Sequence, residues 1–115
     1  MQKTKSIKEN HTFRRIYRRG KSAVSPYLAV YCQKNSKGES RLGLTVSTKV
    51  GNAVVRNRVR RKIREAYRHN EEKFVDAIDL VIVSRVRTAT ANYAEIETSL
   101  LALASQLHLL KGPLV

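Results

Sequence analysis

The segment GNAVVRNRVRRKIREAYRHN, residues 51–70, constrains the fold more than any other part of this sequence. Between Arg56 and Arg68 it holds seven Arg or Lys residues and one acid, Glu65. Like charges three and four residues apart repel one another along a helix. The segment therefore folds only if burial of an apolar face, contact with a polyanion, or both offset that repulsion.

The apolar residues of this segment predict an amphipathic helix from about Ala53 to His69, with Asn52 as its N-cap. At about 100° of rotation per residue they fall within about 80° of one another, which gives a narrow buried seam. The seam residues are Val55, Val59, Ile63 and Ala66, with Tyr67 at the margin. Burial of the seam explains why the helix forms, but it does not explain the charge on the opposite side.

The opposite side of the predicted helix is uniformly cationic. Exposed helix faces usually mix charges of both signs at i, i+4, which stabilises a helix by about 0.2–0.5 kcal/mol per pair. Here the residues at i, i+4 spacing are all arginines: Arg56, Arg60, Arg64 and Arg68. The planar guanidinium group of arginine suits bidentate contact with phosphate. We therefore predict a nucleic-acid-binding stripe composed of Arg56, Asn57, Arg60, Arg61, Arg64 and Arg68, flanked by Arg58 and Lys62 beside the seam.

The charge of the whole chain supports this prediction. The formal net charge is +14, and residues 1–70 hold nineteen Lys or Arg against three acids, whereas residues 71–115 hold four against six. Charge of one sign concentrated on part of a small protein is typical of polyanion binding. The alternative is a basic surface with no specific partner.

Length and hydropathy predict a single domain, 1–115. The 115 residues are 42% hydrophobic, enough for one core. No run of about 20 apolar residues is present for a membrane span, and the first residues lack the apolar stretch of a signal peptide. We expect no membrane partner and a cytoplasmic location.

The remaining pattern predicts an α+β fold of order α-β-β-β-α-β-α with helices packed on a central sheet. Segments 27–33 and 41–47 alternate in polarity and predict an antiparallel hairpin. Segment 78–85 is nearly continuously apolar and predicts a strand buried on both faces. The other predicted elements are a helix capped by Asn10 and reaching Arg19, a weakly indicated strand at Lys21–Val24, and a helix from Asn92 or Thr90 to about Leu110.

Four aromatic residues favour RNA over DNA as the partner. Phe13 and Tyr17 share a face of the first helix, and Tyr27 and Tyr31 share a face of the next strand, where their rings could stack on unpaired bases. No short helix precedes the basic helix with the spacing of a helix-turn-helix motif, so we expect that DNA is not a partner. Packing of these rings between the first helix and the sheet is the open alternative.

Residues with their own chemistry are few. The three histidines, His11, His69 and His108, are scattered, and the sequence contains no paired carboxylates, nucleophile elbow or phosphate-binding loop. Cys32 has no partner for a disulfide and no metal-site spacing around it. We predict no catalytic residue and no metal ligand.

Together these residues resemble a known family. GNAVVRNRVRRKIREAYR resembles the Arg-Asn-Arg signature helix of the protein subunit of bacterial ribonuclease P. The Phe-x-x-x-Tyr of the first helix with its following Arg-Gly, the strand RLGLTVSTKVGNAV, and the segments DLVIVSR and NYAEIETSLLALASQL resemble the same family. The resemblance covers essentially the whole chain.

The resemblance implies a ribonucleoprotein endonuclease in which the RNA subunit cuts the 5′ leader from precursor tRNA with Mg²⁺. The protein would bind no cofactor alone, and one protein would pair with one catalytic RNA. The family fold also implies a left-handed βαβ crossover, which general topology rules disfavour. The resemblance implies that the RNA subunit is faced by Arg56, Asn57, Arg58, Arg60, Arg61 and Arg64, and that the leader is contacted by Phe13, Tyr17 and Tyr31. Tyrosine at position 17 is a departure if phenylalanine is usual there, and it retains stacking.

Two competing functions share some of these features. A ribosomal protein or structural RNA chaperone would have the same charge and a small α+β build, without requiring the signature helix together with an aromatic cleft. A self-sufficient nuclease is disfavoured by the missing catalytic residues.

Overall fold

Residues 3–112, which the computed structural model of the chain describes, form one mixed sheet and three α-helices. In chain order the elements are β1 (Lys5–Ser6), α1 (Asn10–Arg19), β2 (Lys21–Val24), β3 (Leu28–Lys34), β4 (Arg41–Val46), α2 (Ala53–Asn70), β5 (Ile78–Ser84) and α3 (Tyr93–Gln106). Short 3₁₀ turns at Thr48–Val50, Glu71–Lys73 and Val86–Thr90 follow β4, α2 and β5. The α+β class is confirmed, and β1 is an additional strand that the sequence pattern did not predict.

The predicted hairpin between the segments of β3 and β4 is wrong. The strand order is β1-β4-β5-β3-β2, so β5 lies between them, antiparallel to β3 and parallel to β4. The reason is burial: six of the seven β5 residues are buried, on both faces, and such a strand needs a neighbour at each edge. A β3–β4 hairpin would deny it that central place.

Two helix ends also differ from prediction. Asn10 is the first helical residue of α1 and not its cap, since Glu9 occupies the N-cap position without a side-chain hydrogen bond. Helix α3 ends at Gln106, four residues early, because His108 adopts a positive φ of 58° and the chain turns back to bury Leu109. At its start, Asn92 forms the capping box with Glu95.

The sheet is covered on both faces. Helices α2 and α3 cover one face, and the main core there includes Leu28, Val30, Leu80 and Ile82. Helix α1 covers the other face, where Ile16 packs with Ile7 and Val81. Because side chains alternate across a strand, β3 and β5 contribute to both cores.

Helix α2 connects the parallel neighbours β4 and β5 and so forms a βαβ unit. Its hand, which the resemblance implies is left, stays a prediction. None of the helices formed by residues 3–112 combines the length and apolarity that a membrane-spanning segment needs.

A buried carboxylate ties α1 to the sheet. The Asp79 side chain is 1% exposed and accepts hydrogen bonds from Arg41 Nε and Nη2 at 2.8 and 2.6 Å. It also accepts from Arg15 Nη2 at 3.0 Å and from Asn35 Nδ2 at 2.9 Å. Burial alone would raise the pKa of Asp79, but the hydrogen bonds from Arg41 and Asn35 and the two arginine charges outweigh it and hold that pKa below its ordinary value.

Gly20 lets α1 approach β3 closely, and we expect Gly20→Ala to destabilise the protein by about 2 kcal/mol. A Cβ at this position would lie 2.5 Å from the carbonyl oxygen of Cys32 and 2.6 Å from that of Ile16, and backbone atoms cannot rotate away. Urea denaturation measures the change. Gly112→Ala, which meets nothing within 4 Å, is the matched control, and equal stability of the two variants would contradict the close approach.

Candidate nucleic-acid interface

Helix α2 begins as predicted and buries the predicted seam. The Asn52 side chain caps the helix by accepting from the Val55 backbone N–H at 3.0 Å. Val59, Ile63 and Ala66 are buried, whereas Val55 is half-buried. Tyr67, predicted at the margin, is 1% exposed, and its hydroxyl lies 2.8 Å from Thr4 Oγ1. The seam therefore fixes which side of α2 faces solvent.

The solvent side of α2 presents five arginines, and the side chains of three of them have no partner among residues 3–112. We call Arg56, Arg58, Arg60, Arg61 and Arg64 the arginine surface. Among residues 3–112, Arg58, Arg61 and Arg64 form no hydrogen bond or ion pair, and all three are exposed. Their guanidinium groups are available to an external anion, because no acid within the described chain forms an ion pair with them.

Two members of the arginine surface are oriented by local contacts. Arg56 Nη1 donates to the Gly51 carbonyl oxygen at 2.9 Å, and Arg60 Nη1 donates to Asn57 Oδ1 at 3.0 Å. Both arginines are half-buried. Asn57, a poor helix former, thus holds Arg60 in place through its amide oxygen, and its amide nitrogen has no partner among residues 3–112.

Arg68 differs from the arginine surface although the sequence placed it in the same row. Its Nε and Nη2 donate to the two carboxylate oxygens of Glu65 at 3.1 and 2.7 Å, and Nη2 lies 2.9 Å from His69 Nε2. The hydrogen bond from Arg68 lowers the pKa of Glu65. Arg68 is therefore charge-compensated, and as an RNA contact it stays a prediction.

The structure brings Phe13, Tyr17 and Tyr31 together. The ring centroids of Phe13 and Tyr17 are 6.3 Å apart, and Tyr31 meets Tyr17 edge-on at 4.9 Å with an interplanar angle of 80°. Tyr17 is 38% exposed, and its hydroxyl lies 3.1 Å from Thr45 Oγ1. Tyr27 is not part of this group: it packs on the α2–α3 side and donates to Glu95 Oε2 at 2.6 Å.

Phe13 and Tyr17 line a cleft between α1, β4 and α2. The cleft has a volume of about 520 Å³ and is lined by Asn10, Phe13, Arg14, Tyr17, Leu44, Thr45, Val46 and Arg60. We call it the aromatic cleft. Tyr31 supports Tyr17 from the sheet. Phe13 fits because Gly43 has no side chain: a Cβ there would lie 2.6 Å from Phe13 Cε1.

Arg60 joins the aromatic cleft to the arginine surface, because it lines the first and belongs to the second. Sequence reasoning treated the two surfaces separately, since a helix and a preceding strand carry no pattern that shows which side chains meet. Thr45 and Arg14 were missed as cleft residues for the same reason.

The three histidines remain apart, and two of them have a local side-chain contact. His11 lies 3.5 Å from a carboxylate oxygen of Glu9, and His69 Nδ1 lies 2.7 Å from the Tyr93 hydroxyl. His108 is exposed after α3. In the part of the chain that is described, no group of three or more His, Cys, Asp or Glu side chains could hold a metal ion.

Comparison with known proteins gives one consistent family. The family model described as Ribonuclease P matches residues 1–108. The ribonuclease P protein component of Clostridioides difficile is 44% identical over 99 residues, covering 85% of this chain and 87% of that protein. That of Alkaliphilus metalliredigens is 40% identical over 110 residues, covering 96% and 99%.

Solved structures agree with the sequence comparison. The RNase P protein of Staphylococcus aureus superposes with a TM-score of 0.84 at 32% identity, over 92% of this chain and 97% of that one. The RNase P protein of Thermotoga maritima gives 0.79 at 28% identity, over 94% and 99%. The mixed five-stranded sheet with three helices is thus the fold of these proteins.

Proposed function

The chain belongs to the ribonuclease P protein family, and we propose that it acts as one RNA-binding domain with two surfaces, one for the catalytic RNA and one for the 5′ leader of precursor tRNA. Membership makes it a subunit of a tRNA-processing endoribonuclease with an RNA partner. The finer assignments below rest on the geometry of the two surfaces.

The arginine surface is assigned to the catalytic RNA. Its support is the unpaired state of Arg58, Arg61 and Arg64 on one exposed helix side. Guanidinium groups bind phosphate through two parallel hydrogen bonds, and a rigid helix holds them in a fixed array. Arg68, already paired with Glu65, would contribute less than the others.

The aromatic cleft is assigned to the single-stranded leader. Its lining combines ring faces with polar and cationic groups, including Arg14 and Arg60, which suits a strand whose bases stack while its phosphates are contacted. Among the described residues the lining contains no carboxylate and no histidine, so these side chains offer groups for binding RNA and not for acid–base chemistry. The observation that carries this assignment is that Phe13 and Tyr17 line one cleft with Arg60, while Tyr31 packs against Tyr17.

We assign the hydrolysis to the RNA subunit, with Mg²⁺ required by the holoenzyme and one protein for each RNA. Reconstitution tests this directly: protein added to a bacterial ribonuclease P RNA at low Mg²⁺ should restore 5′ processing of precursor tRNA. Protein alone should leave precursor tRNA intact, and cleavage by the protein alone would refute the assignment.

The arginine surface gives a prediction about salt. Arg60→Ala or Arg64→Ala should weaken binding to the RNA subunit and flatten its dependence on salt, with the log–log slope falling by roughly 0.7–0.9 for each lost phosphate contact. Filter binding across a salt series measures the slope. Lys37→Ala, which removes an exposed charge from the loop after β3, is the matched control, and unchanged slopes in both arginine variants would remove α2 from the interface.

A further inference from the structure

Helix α1 has a second cluster of cations on its outer side, separate from the arginine surface. A shallow concavity of about 480 Å³ there is lined by His11, Arg14, Arg15, Arg18 and Arg19. Among residues 3–112 no acid belongs to this lining, although Glu9 lies beside it, 3.5 Å from His11. We call His11, Arg14, Arg18 and Arg19 the α1 basic surface.

The side chains of Arg14, Arg18 and Arg19 are exposed and make no hydrogen bond or ion pair within residues 3–112, so the fold does not use their charges. Arg15 is left out of the surface because it pairs with Asp79 and contacts Gln33. Arg18 and Arg19 lie in the last turn, where the helix dipole favours cations. Arg14 lies in the middle of the helix, where that effect is absent, so the dipole does not account for the cluster.

Arg14 connects the α1 basic surface to the aromatic cleft because it lines both. A strand in the cleft therefore lies between Arg60 of α2 and Arg14 of α1. Arg18 lies one turn beyond Arg14, about 6 Å along the helix axis. The cations thus continue from the edge of the cleft along the outside of α1.

We propose that the α1 basic surface binds the phosphates of leader nucleotides upstream of those held in the aromatic cleft, a role that rests on the proposed leader function of that cleft. The partner is single-stranded RNA because the surface is continuous with the cleft. Binding here is electrostatic and independent of sequence, since the concavity offers guanidinium groups and an imidazole but no aromatic ring.

The test compares reconstituted holoenzymes on precursor tRNAs with leaders of about 3 and about 15 nucleotides, a range that brackets a single binding site. Arg18→Gln/Arg19→Gln removes two charges and leaves the cleft lining intact. Lys37→Gln/Lys73→Gln removes the same charge from exposed positions elsewhere. We expect the arginine variant to bind the long-leader substrate about three- to tenfold more weakly. The slope of log affinity against log salt concentration should fall by about 1.4 for this substrate. Its affinities for the short-leader substrate and for the RNA subunit should be unchanged. The lysine variant should match the unmodified protein on both substrates.

The other outcomes are distinguishable. Equal affinity of the two variants for the long leader would overturn the proposal, and so would a loss that is the same for both leaders or that appears in RNA-subunit binding. Tyr17→Ala, measured in parallel, reports on the cleft. A leader-specific defect in Tyr17→Ala alone would refute the α1 basic surface only, whereas a long-leader defect in the arginine variant alone would refute the cleft and retain this surface.

Discussion

Replacing Asp79 with alanine is expected to lower the free energy of unfolding by about 3 kcal/mol, the low end for breaking a buried ion pair. The carboxylate is the common acceptor for Arg41, Arg15 and Asn35. Without it, Arg41, whose side chain is 15% exposed, keeps a largely buried charge with no counter-charge. Urea denaturation at neutral pH measures the loss.

Asp76→Ala is the control, because it removes an exposed carboxylate three residues away. Acid provides a second readout. The pKa of Asp79 is held below its ordinary value of 3.8, so the stability it contributes is fully present above that pH and is lost as the pH falls through the lowered pKa. The unfolding free energies of the original protein and the Asp79 variant should therefore begin to converge below about pH 3.8 and meet only below the lowered pKa. Equal stability at neutral pH would show that the network is dispensable.

The sequence predicted the elements of this fold well where the pattern within one element is sufficient. The α2 seam, its cap at Asn52 and the buried strand at 78–84 follow from helical period, a short polar side chain and continuous hydropathy. Each depends on residues close in the chain, so local physics decides it.

Features that depend on distant residues were missed or wrong. The hairpin failed because strand pairing was settled by the burial of β5, more than thirty residues further along the chain. Tyr27 was placed with Tyr31 by alternation, yet it precedes β3 and bonds to Glu95 of α3. Arg68 is a different case, because its partner Glu65 lies only three residues away and its contact with RNA stays a prediction.

The aromatic cleft gives the prediction with the largest effect on binding. Tyr17→Ala should weaken binding of precursor tRNA to the holoenzyme by about 5- to 150-fold, which corresponds to about 1–3 kcal/mol for one stacked base. The loss should vanish for mature tRNA, which has no leader, and affinity for the RNA subunit should barely change. Equilibrium binding of the three RNAs measures these differences.

Tyr17→Phe is the matched control, because it removes only the hydroxyl that lies 3.1 Å from Thr45 Oγ1 and keeps the ring. If stacking is the source of affinity, the phenylalanine variant should bind nearly as well as the original protein. If the hydroxyl contact matters instead, both variants should lose affinity equally.

Tyr31→Ala separates leader binding from packing. Tyr31 is half-buried against Tyr17 and packs on the α1 side of the sheet, so its truncation should cost about 3 kcal/mol of folding stability. Truncation of Tyr17, which is 38% exposed, should cost about 1 kcal/mol of folding stability or less. The thermal midpoint of each variant, measured beside its affinity for precursor and mature tRNA, decides between the two roles. A Tyr17→Ala protein with a normal midpoint and no leader-dependent defect would show that the cleft does not hold the leader, because the ring would then be neither core nor binding platform.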